Sequence, residues 1–192
     1  DGIGREVNVQ EAVKWYEKAA EKGVVISHHN LGFIYETGRL TGKNDYVEAV
    51  RWYKFAADQG FADSQVNLGI LYDDGLGVIQ DNKEAVRLFT LAANQGSPNG
   101  MWRLALMYLH GEGVTQDDTK VLDLTTKAAE LNFSLAQHDM GLYYNDGQLG
   151  VKQDKSIAAQ WYRRAAELGY AGSQFNLRIL YDGGDGVPLN DD

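Results

Sequence analysis

Apolar and small residues recur along most of the chain at helical spacing, in two kinds of short segment that alternate. In the segment at 11–23, the apolar positions i, i+3, i+4, i+7 and i+8 are Ala12, Trp15, Tyr16, Ala19 and Ala20. The segment at 30–38 repeats this spacing with a leucine, an isoleucine and a tyrosine. Such spacing places the apolar side chains on one face of a helix. The pattern therefore predicts short amphipathic helices.

Both segments recur five times in a fixed register. The LGxxY segment, which we name helix A, recurs at 30–38, 67–75, 103–111, 139–147 and 176–184. The AxxWYxxAA segment, which we name helix B, recurs at 11–23, 48–60, 84–96, 120–132 and 157–169. The Ala-Ala pairs of helix B are separated by strides of 37, 36, 36 and 37 residues. Self-similarity at this period predicts an all-α solenoid of about five helix-turn-helix repeats, with roughly ten helices.

Capping residues mark both ends of each helix B. An aspartate precedes helix B in four copies: Asp45, Asp81, Asp117 and Asp154. Glu48 and Glu84 follow the first two of them in a capping-box arrangement. Helix B ends at Gly23, Gly60, Gly96, Asn132 and Gly169, residue types that adopt the left-handed conformation closing a last turn.

Small residues in helix A predict close contact between helices. Gly32, Gly69 and Gly141 are expected to lie opposite the helix B alanines and to let two backbones approach. We expect Trp15, Trp52 and Trp161 to be buried between hairpins, and the packing to differ where Leu88-Phe89 and Leu124-Thr125 replace the Trp-Tyr pair. Ala105 is a mild replacement of the helix A glycine, whereas Arg178 would clash with a helix B packed there as usual.

The combined pattern LGxxYxxGxGVxxDxxxAxxWYxxAAxxG resembles the Sel-one-like repeat (SLR), a relative of the tetratricopeptide repeat. One copy carries it on Gly69, Tyr72, Gly75, Gly77, Val78, Asp81, Ala85, Ala92, Ala93 and Gly96. The resemblance implies a right-handed α-α superhelix whose inner surface is lined by the A helices. It also implies work as an adaptor in larger assemblies, with no activity shared across the family.

The repeat boundaries predict one solenoid domain over residues 1–192. Complete repeats are expected at about 24–60, 61–96, 97–132 and 133–169, with partial repeats at 1–23 and 170–192. Because both ends cut a repeat, we expect the chain to be a fragment of a longer array.

Composition narrows the possible partners. The formal net charge of −9 disfavours nucleic acid and anionic membrane, and no apolar run is long enough to cross a bilayer. A protein or peptide with basic and apolar character is the expected partner. The chain has no cysteine, so it has no disulfide framework. Localisation stays open between cytoplasmic, periplasmic, secreted and secretory-pathway compartments.

No residue pattern predicts catalysis, a metal or a cofactor. The four histidines are His28, His29, His110 and His138, and they lack metal-ligand spacing within a helix. The run Asp73-Asp74-Gly75 lacks the glycine that a calcium loop needs at its sixth position. Asn132 begins a glycosylation sequon, but its helix-stop position explains it without a sugar. We therefore predict that the protein is not an enzyme.

If the geometry of the SLR family holds, an inner groove is the candidate binding site. Its proposed lining residues are His29, Phe33, Val66, Ile70, Asp73, Trp102, Leu106, His138, Leu142 and Phe175. Trp102 is an additional aromatic residue outside the repeat pattern. It is interpreted either as an apolar anchor for a peptide or as a filler of space left by the Leu88-Phe89 replacement.

The sequence therefore favours a non-catalytic scaffold that binds a partner protein or peptide on the face lined by the first helix of each repeat. An architectural spacer between flanking domains is the alternative, and a hydrolase or another enzyme is less favoured. Substituting Trp102 and measuring partner affinity distinguishes an anchor from a filler.

Overall fold

The computed structural model describes residues 8–184, which form ten α-helices and no strand. They are α1 (Val9–Glu21), α2 (Val25–Glu36), α3 (Tyr46–Asp58), α4 (Ala62–Asp74), α5 (Asn82–Asn94), α6 (Pro98–His110), α7 (Asp118–Glu130), α8 (Ser134–Asp146), α9 (Lys155–Glu167) and α10 (Ala171–Asp182). Odd-numbered helices are the predicted B helices and even-numbered helices are the predicted A helices. The all-α prediction is confirmed, but each helix A begins five residues before the segment that predicted it, as α4 does at Ala62.

The helices belong to two compact units, with the division after Gln95. Unit 1 contains α1–α5 and unit 2 contains α6–α10. Within each unit every helix packs on the helices before and after it in the chain. A single domain over 1–192 stays a prediction, and the terminal parts of its two partial repeats (1–7 and 185–192) lie outside the described residues.

Aspartates cap helix B as predicted, but only one half of the capping box forms. The Asp45 carboxylate accepts the Glu48 backbone N–H at 3.0 Å, and the same bond recurs at the other three aspartates. The Glu48 side chain pairs instead with Arg51 at 3.3 Å. The cap backbone N–H donates to the carbonyl of the helix A tyrosine, at 2.8–3.2 Å in all four copies. This bond fixes the loop between helices A and B.

Left-handed residues end helix B, as predicted. Gly60 has φ +83° and Asn132 has φ +60°. Asparagine tolerates this conformation better than other residues with a side chain, which explains its use in the fourth copy.

The helix A glycines face aromatic rings of helix B, so the expectation that they lie opposite alanines is wrong. A Cβ added at Gly32 would lie 2.6 Å from the Tyr53 ring, and one at Gly141 would lie 2.3 Å from the Tyr162 ring. These rings are almost completely buried, so they fill the volume that a missing side chain provides.

In the third hairpin both partners of this contact differ. Ala105 occupies the glycine register of α6, and Thr125 occupies the ring register of α7; each is 1% exposed. A slightly larger residue on helix A therefore coincides with a much smaller one on helix B. Leu88 and Phe89 are 2% and 0% exposed, so the α5 replacement is itself well packed.

The expected burial of the three tryptophans between hairpins is wrong for Trp15. This side chain is 60% exposed, and its indole N–H donates to Glu11 at 2.9 Å. Trp52 and Trp161 are half-buried.

Three A helices each carry a glutamine that bonds to the preceding helix B, a feature that the sequence analysis did not predict. The side-chain N–H of Gln65 donates to the Ala57 carbonyl at 3.2 Å. Gln137 and Gln174 make the same bond to Ala129 and Ala166, at 3.0 and 3.3 Å. Each bond joins a helix A to the last turn of a helix B, where carbonyl groups lack intrahelical partners.

Candidate partner-binding surface

All ten predicted binding residues lie on A helices, but they differ in accessibility. Phe33 and Phe175 are 37% and 61% exposed, whereas Val66 is 1% exposed. The other seven are half-buried. Val66 is thus part of the core of unit 1 and is not accessible to a partner in this arrangement. His29, Trp102 and His138 contact other parts of their own unit, and Phe33 and Leu142 line open clefts.

Two of the predicted residues, His29 and His138, are bound by serines of the next helix A. The Nδ1 atom of His29 lies 2.9 Å from Ser64 Oγ, and that of His138 lies 2.8 Å from Ser173 Oγ. Each imidazole also packs obliquely against two aromatic rings, at centroid distances of 4.8–5.6 Å. Burial lowers the pKa of both histidines. These side chains position neighbouring A helices within each unit.

The His–Ser pairs do not have the geometry of an activated nucleophile. Ser64 and Ser173 are both 0% exposed. A nucleophilic hydroxyl has to reach a reacting carbon, so a serine without accessible surface cannot act as one. Their role in this structure is packing.

Trp102 is anchored within unit 2. Its indole N–H donates to the Asp139 carboxylate at 2.7 Å, and its ring packs against Phe133 at a centroid distance of 5.7 Å. Burial raises the pKa of Asp139, and the bond from Trp102 opposes this shift. The half-buried indole N–H is thus already bonded to a carboxylate of its own chain.

Two clefts occupy equivalent positions on the A helices of the two units. The unit 1 cleft includes Tyr16, Asn30, Phe33 and Ile34, and has a volume of about 330 Å³. The unit 2 cleft includes Tyr162, Asn176, Ile179 and Leu180, and has a volume of about 160 Å³. Each residue of the second set follows its counterpart by 146 positions, the sum of four repeat strides. In both, a helix B tyrosine, a carboxamide and apolar side chains of helix A surround an open space.

The two clefts lie in different electrostatic surroundings. Helices α2 and α4 of unit 1 contain four carboxylates and no lysine or arginine. Among them, Glu36 accepts the Tyr53 hydroxyl proton at 2.5 Å, and Asn67 donates to the same hydroxyl at 3.0 Å. The A helices of unit 2 carry both signs, with Arg178 and Asp182 paired at 3.2 Å. The A helices of unit 1 are therefore the more acidic, and the one basic residue that lines the unit 1 cleft is Arg39, whose guanidinium lies 4.8 Å from the Phe33 ring centroid.

Neither a metal site nor a membrane segment is present between residues 8 and 184. No three histidine, aspartate or glutamate side chains in this range converge as metal ligands. No helix there is both long and apolar enough to span a bilayer.

The repeat geometry agrees with comparison to known families. The Sel1 repeat model matches five times, at residues 1–24, 25–61, 62–97, 98–133 and 134–170. The chain therefore belongs to the Sel1 repeat family, and it is an all-α repeat solenoid. Sel1 repeat proteins are generally non-catalytic scaffolds for protein interaction. The resemblance inferred from the sequence is confirmed.

Solved structures with the same fold include two that are more than 30% identical. A protective antigen of uropathogenic Escherichia coli, which displays an SLR fold, is 38% identical with a TM-score of 0.83 over 95% of this chain. A Sel1 repeat protein from Oxalobacter formigenes is 33% identical with a TM-score of 0.89, also over 95%. The chain spans 39% and 52% of their lengths, respectively. No curated protein matches the sequence.

More distant structures share the fold alone. An immunity protein from Pseudomonas aeruginosa is 21% identical, with a TM-score of 0.64 over 98% of this chain and 66% of its own length.

Proposed function

We propose that this protein is a non-catalytic scaffold that binds a partner protein through the exposed surfaces of its A helices. The observation that supports the proposal is the recurrence of the same open cleft in both units. Each cleft by itself offers a partner apolar side chains beside a tyrosine and a carboxamide. Aromatic and apolar side chains provide most of the affinity in such contacts, and flanking polar groups provide orientation.

The character of the partner follows from the residues around the clefts. Phe33 and Ile179 offer accessible apolar surface, at 37% and 51% exposure. The four carboxylates of α2 and α4 outnumber the one guanidinium that lines the unit 1 cleft, that of Arg39, so they favour lysine and arginine over acidic residues in the bound segment. The proposed partner segment therefore carries apolar side chains beside basic ones.

An array of random dodecapeptides tests this proposal. Wild-type protein should bind peptides in which an apolar residue adjoins lysine or arginine. The double variant Phe33→Ser/Ile179→Ser should bind these peptides at least tenfold more weakly, because both clefts lose an apolar wall. Both side chains are substantially exposed, so the fold should persist.

Ile79→Ser is the matched control, because this isoleucine is 92% exposed and lies outside both clefts. Its binding should stay within twofold of wild type. Equal binding by the double variant would place recognition elsewhere. An array on which no peptide binds would contradict the proposal and favour an architectural spacer.

A further inference from the structure

Unit 1 has a second cleft, which shares no lining residue with the two clefts of the proposed function. It opens between α1, α2 and α3, has a volume of about 360 Å³, and is lined by Glu17, Ala20, Glu21, His28 and Trp52. We propose that this cleft binds the cationic side chain of a lysine or arginine on a partner protein. The inference does not depend on the binding clefts of the proposed function.

The cleft lies at one of the two described A helices that lack the glutamine link, since this register is His28 in α2 and Met101 in α6. Gln65, Gln137 and Gln174 occupy the same register of helix A, and in the first hairpin that register is His28. His28 directs its Nδ1 atom to the Val24 carbonyl of its own helix, at 3.2 Å. The space next to helix B, which a glutamine amide fills elsewhere, is therefore open.

The missing glutamine leaves an acceptor in the cleft. The carbonyl of Ala57 accepts the Gly60 backbone N–H at 2.9 Å and also the Gln65 side-chain N–H. The equivalent carbonyl of Ala20 accepts the Gly23 backbone N–H at 2.8 Å, but no side chain of a described residue donates to it. A carbonyl oxygen has two lone pairs, so it can accept a further bond. The three glutamine amides show that an N–H group fits at this place.

The charge of the cleft favours a cationic donor over a neutral one. Glu17 and Glu21 are one helical turn apart on the same face of α1. Neither forms an ion pair with a described residue. Ala20 and Glu21 are also the last residues of α1, where the carbonyl ends of the helix dipole attract positive charge. The equivalent junction of α3 and α4 has Lys54 in the Glu17 register and thus a cation of its own.

Aromatic rings form the remaining wall. His28 stacks on Phe55 at a centroid distance of 3.8 Å and packs obliquely on Trp52 at 5.6 Å. The Trp52 ring already has the Arg51 guanidinium 5.8 Å from its centroid, which shows that a cation can approach this indole. A tryptophan face attracts ammonium and guanidinium groups, and more strongly when they are partly desolvated. Two carboxylates, a carbonyl and an indole therefore surround a space suited to a basic side chain.

The test uses N-acetyl-lysine methylamide and N-acetyl-arginine methylamide as probes. N-acetyl-norleucine methylamide is the matched control, because it keeps the aliphatic chain and lacks the ammonium group. We expect both basic probes to shift the indole N–H signal of Trp52 in a nitrogen-proton correlation spectrum, and the norleucine probe to leave it in place. The loss of one signal in Trp52→Phe assigns it.

Variants of the cleft sharpen the test. Glu17→Gln/Glu21→Gln should weaken binding of the basic probes at least tenfold, and His28→Gln should do the same by restoring the amide. Glu130→Gln, at the Glu21 register of α7, should have no effect. Phe33→Ser/Ile179→Ser should also leave probe binding unchanged, so failure here is distinguishable from failure of the proposed function.

Three results would overturn the inference. They are equal shifts with the norleucine probe, unchanged binding in Glu17→Gln/Glu21→Gln, and a Trp52 signal that no basic probe moves at saturating concentration. Because Glu17 and Glu21 lie at the surface of α1, their exchange tests the site even if His28→Gln does not fold.

Discussion

Units 1 and 2 hold their A helices together with the same polar pair, but the polar residues beside that pair differ. Each unit links two A helices by a histidine and a buried serine, and each packs that imidazole on two aromatic rings. In unit 1 the neighbouring tyrosine, Tyr53, donates to a carboxylate, Glu36. In unit 2 the Glu36 register is Asn145. The helix spacing is thus held by a small shared set of contacts, while the charge of the accessible face varies.

The units also differ in how they fill the glycine register. Unit 1 uses glycine opposite a ring in both of its hairpins, Gly32 with Tyr53 and Gly69 with Phe89. Unit 2 uses this solution once, at Gly141, and once the reduced pair Ala105 and Thr125. Both positions of this contact thus differ in the same hairpin, while the other three described hairpins keep a glycine opposite a ring.

The largest expected effect is that of Gly141→Ala. Its Cβ would lie 2.3 Å from the ring of Tyr162, which is 1% exposed, so the ring or the helix has to shift. We expect a loss of ~2–3 kcal/mol in the free energy of unfolding by urea, because overpacking exceeds the gain in helix propensity. Ala105→Gly should cost only ~1 kcal/mol.

The double variant Gly141→Ala/Tyr162→Thr introduces the residue pair of the third hairpin, an alanine opposite a threonine, and completes a double-mutant cycle. Its loss should be smaller than the sum of the single losses by ~1 kcal/mol or more. Strict additivity would show that the two positions are independent.

The next effect concerns the pair of Trp102 and Asp139, which has no counterpart in unit 1. Trp102→Phe should cost ~1.5–3 kcal/mol at pH 7, because a buried carboxylate loses its donor. Since burial raises the pKa of Asp139, its ionised form destabilises the fold, and stability falls as pH rises past its ordinary range. Asp139→Asn, the residue at this register in α2, α4 and α10, should therefore be neutral or stabilising at pH 7. Urea midpoints measure both.

A smaller difference is expected between Tyr53 and Tyr162, which occupy the same register of α3 and α9. Tyr53→Phe should cost ~1.5 kcal/mol by leaving Glu36 without its donor, and Tyr162→Phe ~1 kcal/mol or less, because Tyr162 has no equivalent carboxylate partner. Urea unfolding at pH 7 compares the two variants. Equal losses would remove the electrostatic distinction between the units.

High pH provides an independent measurement on Tyr162. Burial raises the pKa of Tyr162 to about 12, against an ordinary value of 10.0. The unfolded chain releases the proton first, so stability that is present below pH 10 is lost as the pH rises toward about 12. The fall in thermal midpoint over this range should be shallower in Tyr162→Phe than in wild type. An unchanged slope would contradict this assignment.

The smallest expected effect is a difference in acid sensitivity between variants of His29 and His138. Burial lowers the pKa of both below 6.5, so the unfolded state takes up protons first and stability falls as the pH drops through that value. Asp63 and Glu36 oppose this shift for His29, whereas no such carboxylate counters it for His138. His138→Gln should therefore reduce acid sensitivity more than His29→Gln. The control is the proton titration of each imidazole by nuclear magnetic resonance, where His138 should have the lower pKa.

Much of the fold could be predicted because it is encoded locally. Asp45 caps a helix and Gly60 ends one through contacts within a few residues, and these signals are visible in any single copy. The glutamine links were predictable in principle, because Gln65, Gln137 and Gln174 share one register. Apolar periodicity does not reveal them, because glutamine is a polar residue.

The candidate site was less predictable. The register correctly selected residues of the A helices, but it could not distinguish Val66, at 1% exposure, from Phe175, at 61%. Both occupy the same position of the repeat. Their exposures differ because different residues pack around each copy, and the repeat pattern does not show those residues. The cleft at His28 was invisible for the same reason, since its shape depends on the side chains of α1, α2 and α3 that surround it.

The sequence by itself determined the period, the helices, their ends and the family, since each depends on short-range backbone preferences repeated five times. Only the tertiary structure decided which partner each half-buried polar group meets. His29 finds Ser64 and Trp102 finds Asp139 across 35 and 37 residues. The physical reason is that a repeat brings equivalent positions side by side, whereas the direction of a side chain depends on the volume its particular neighbours leave free.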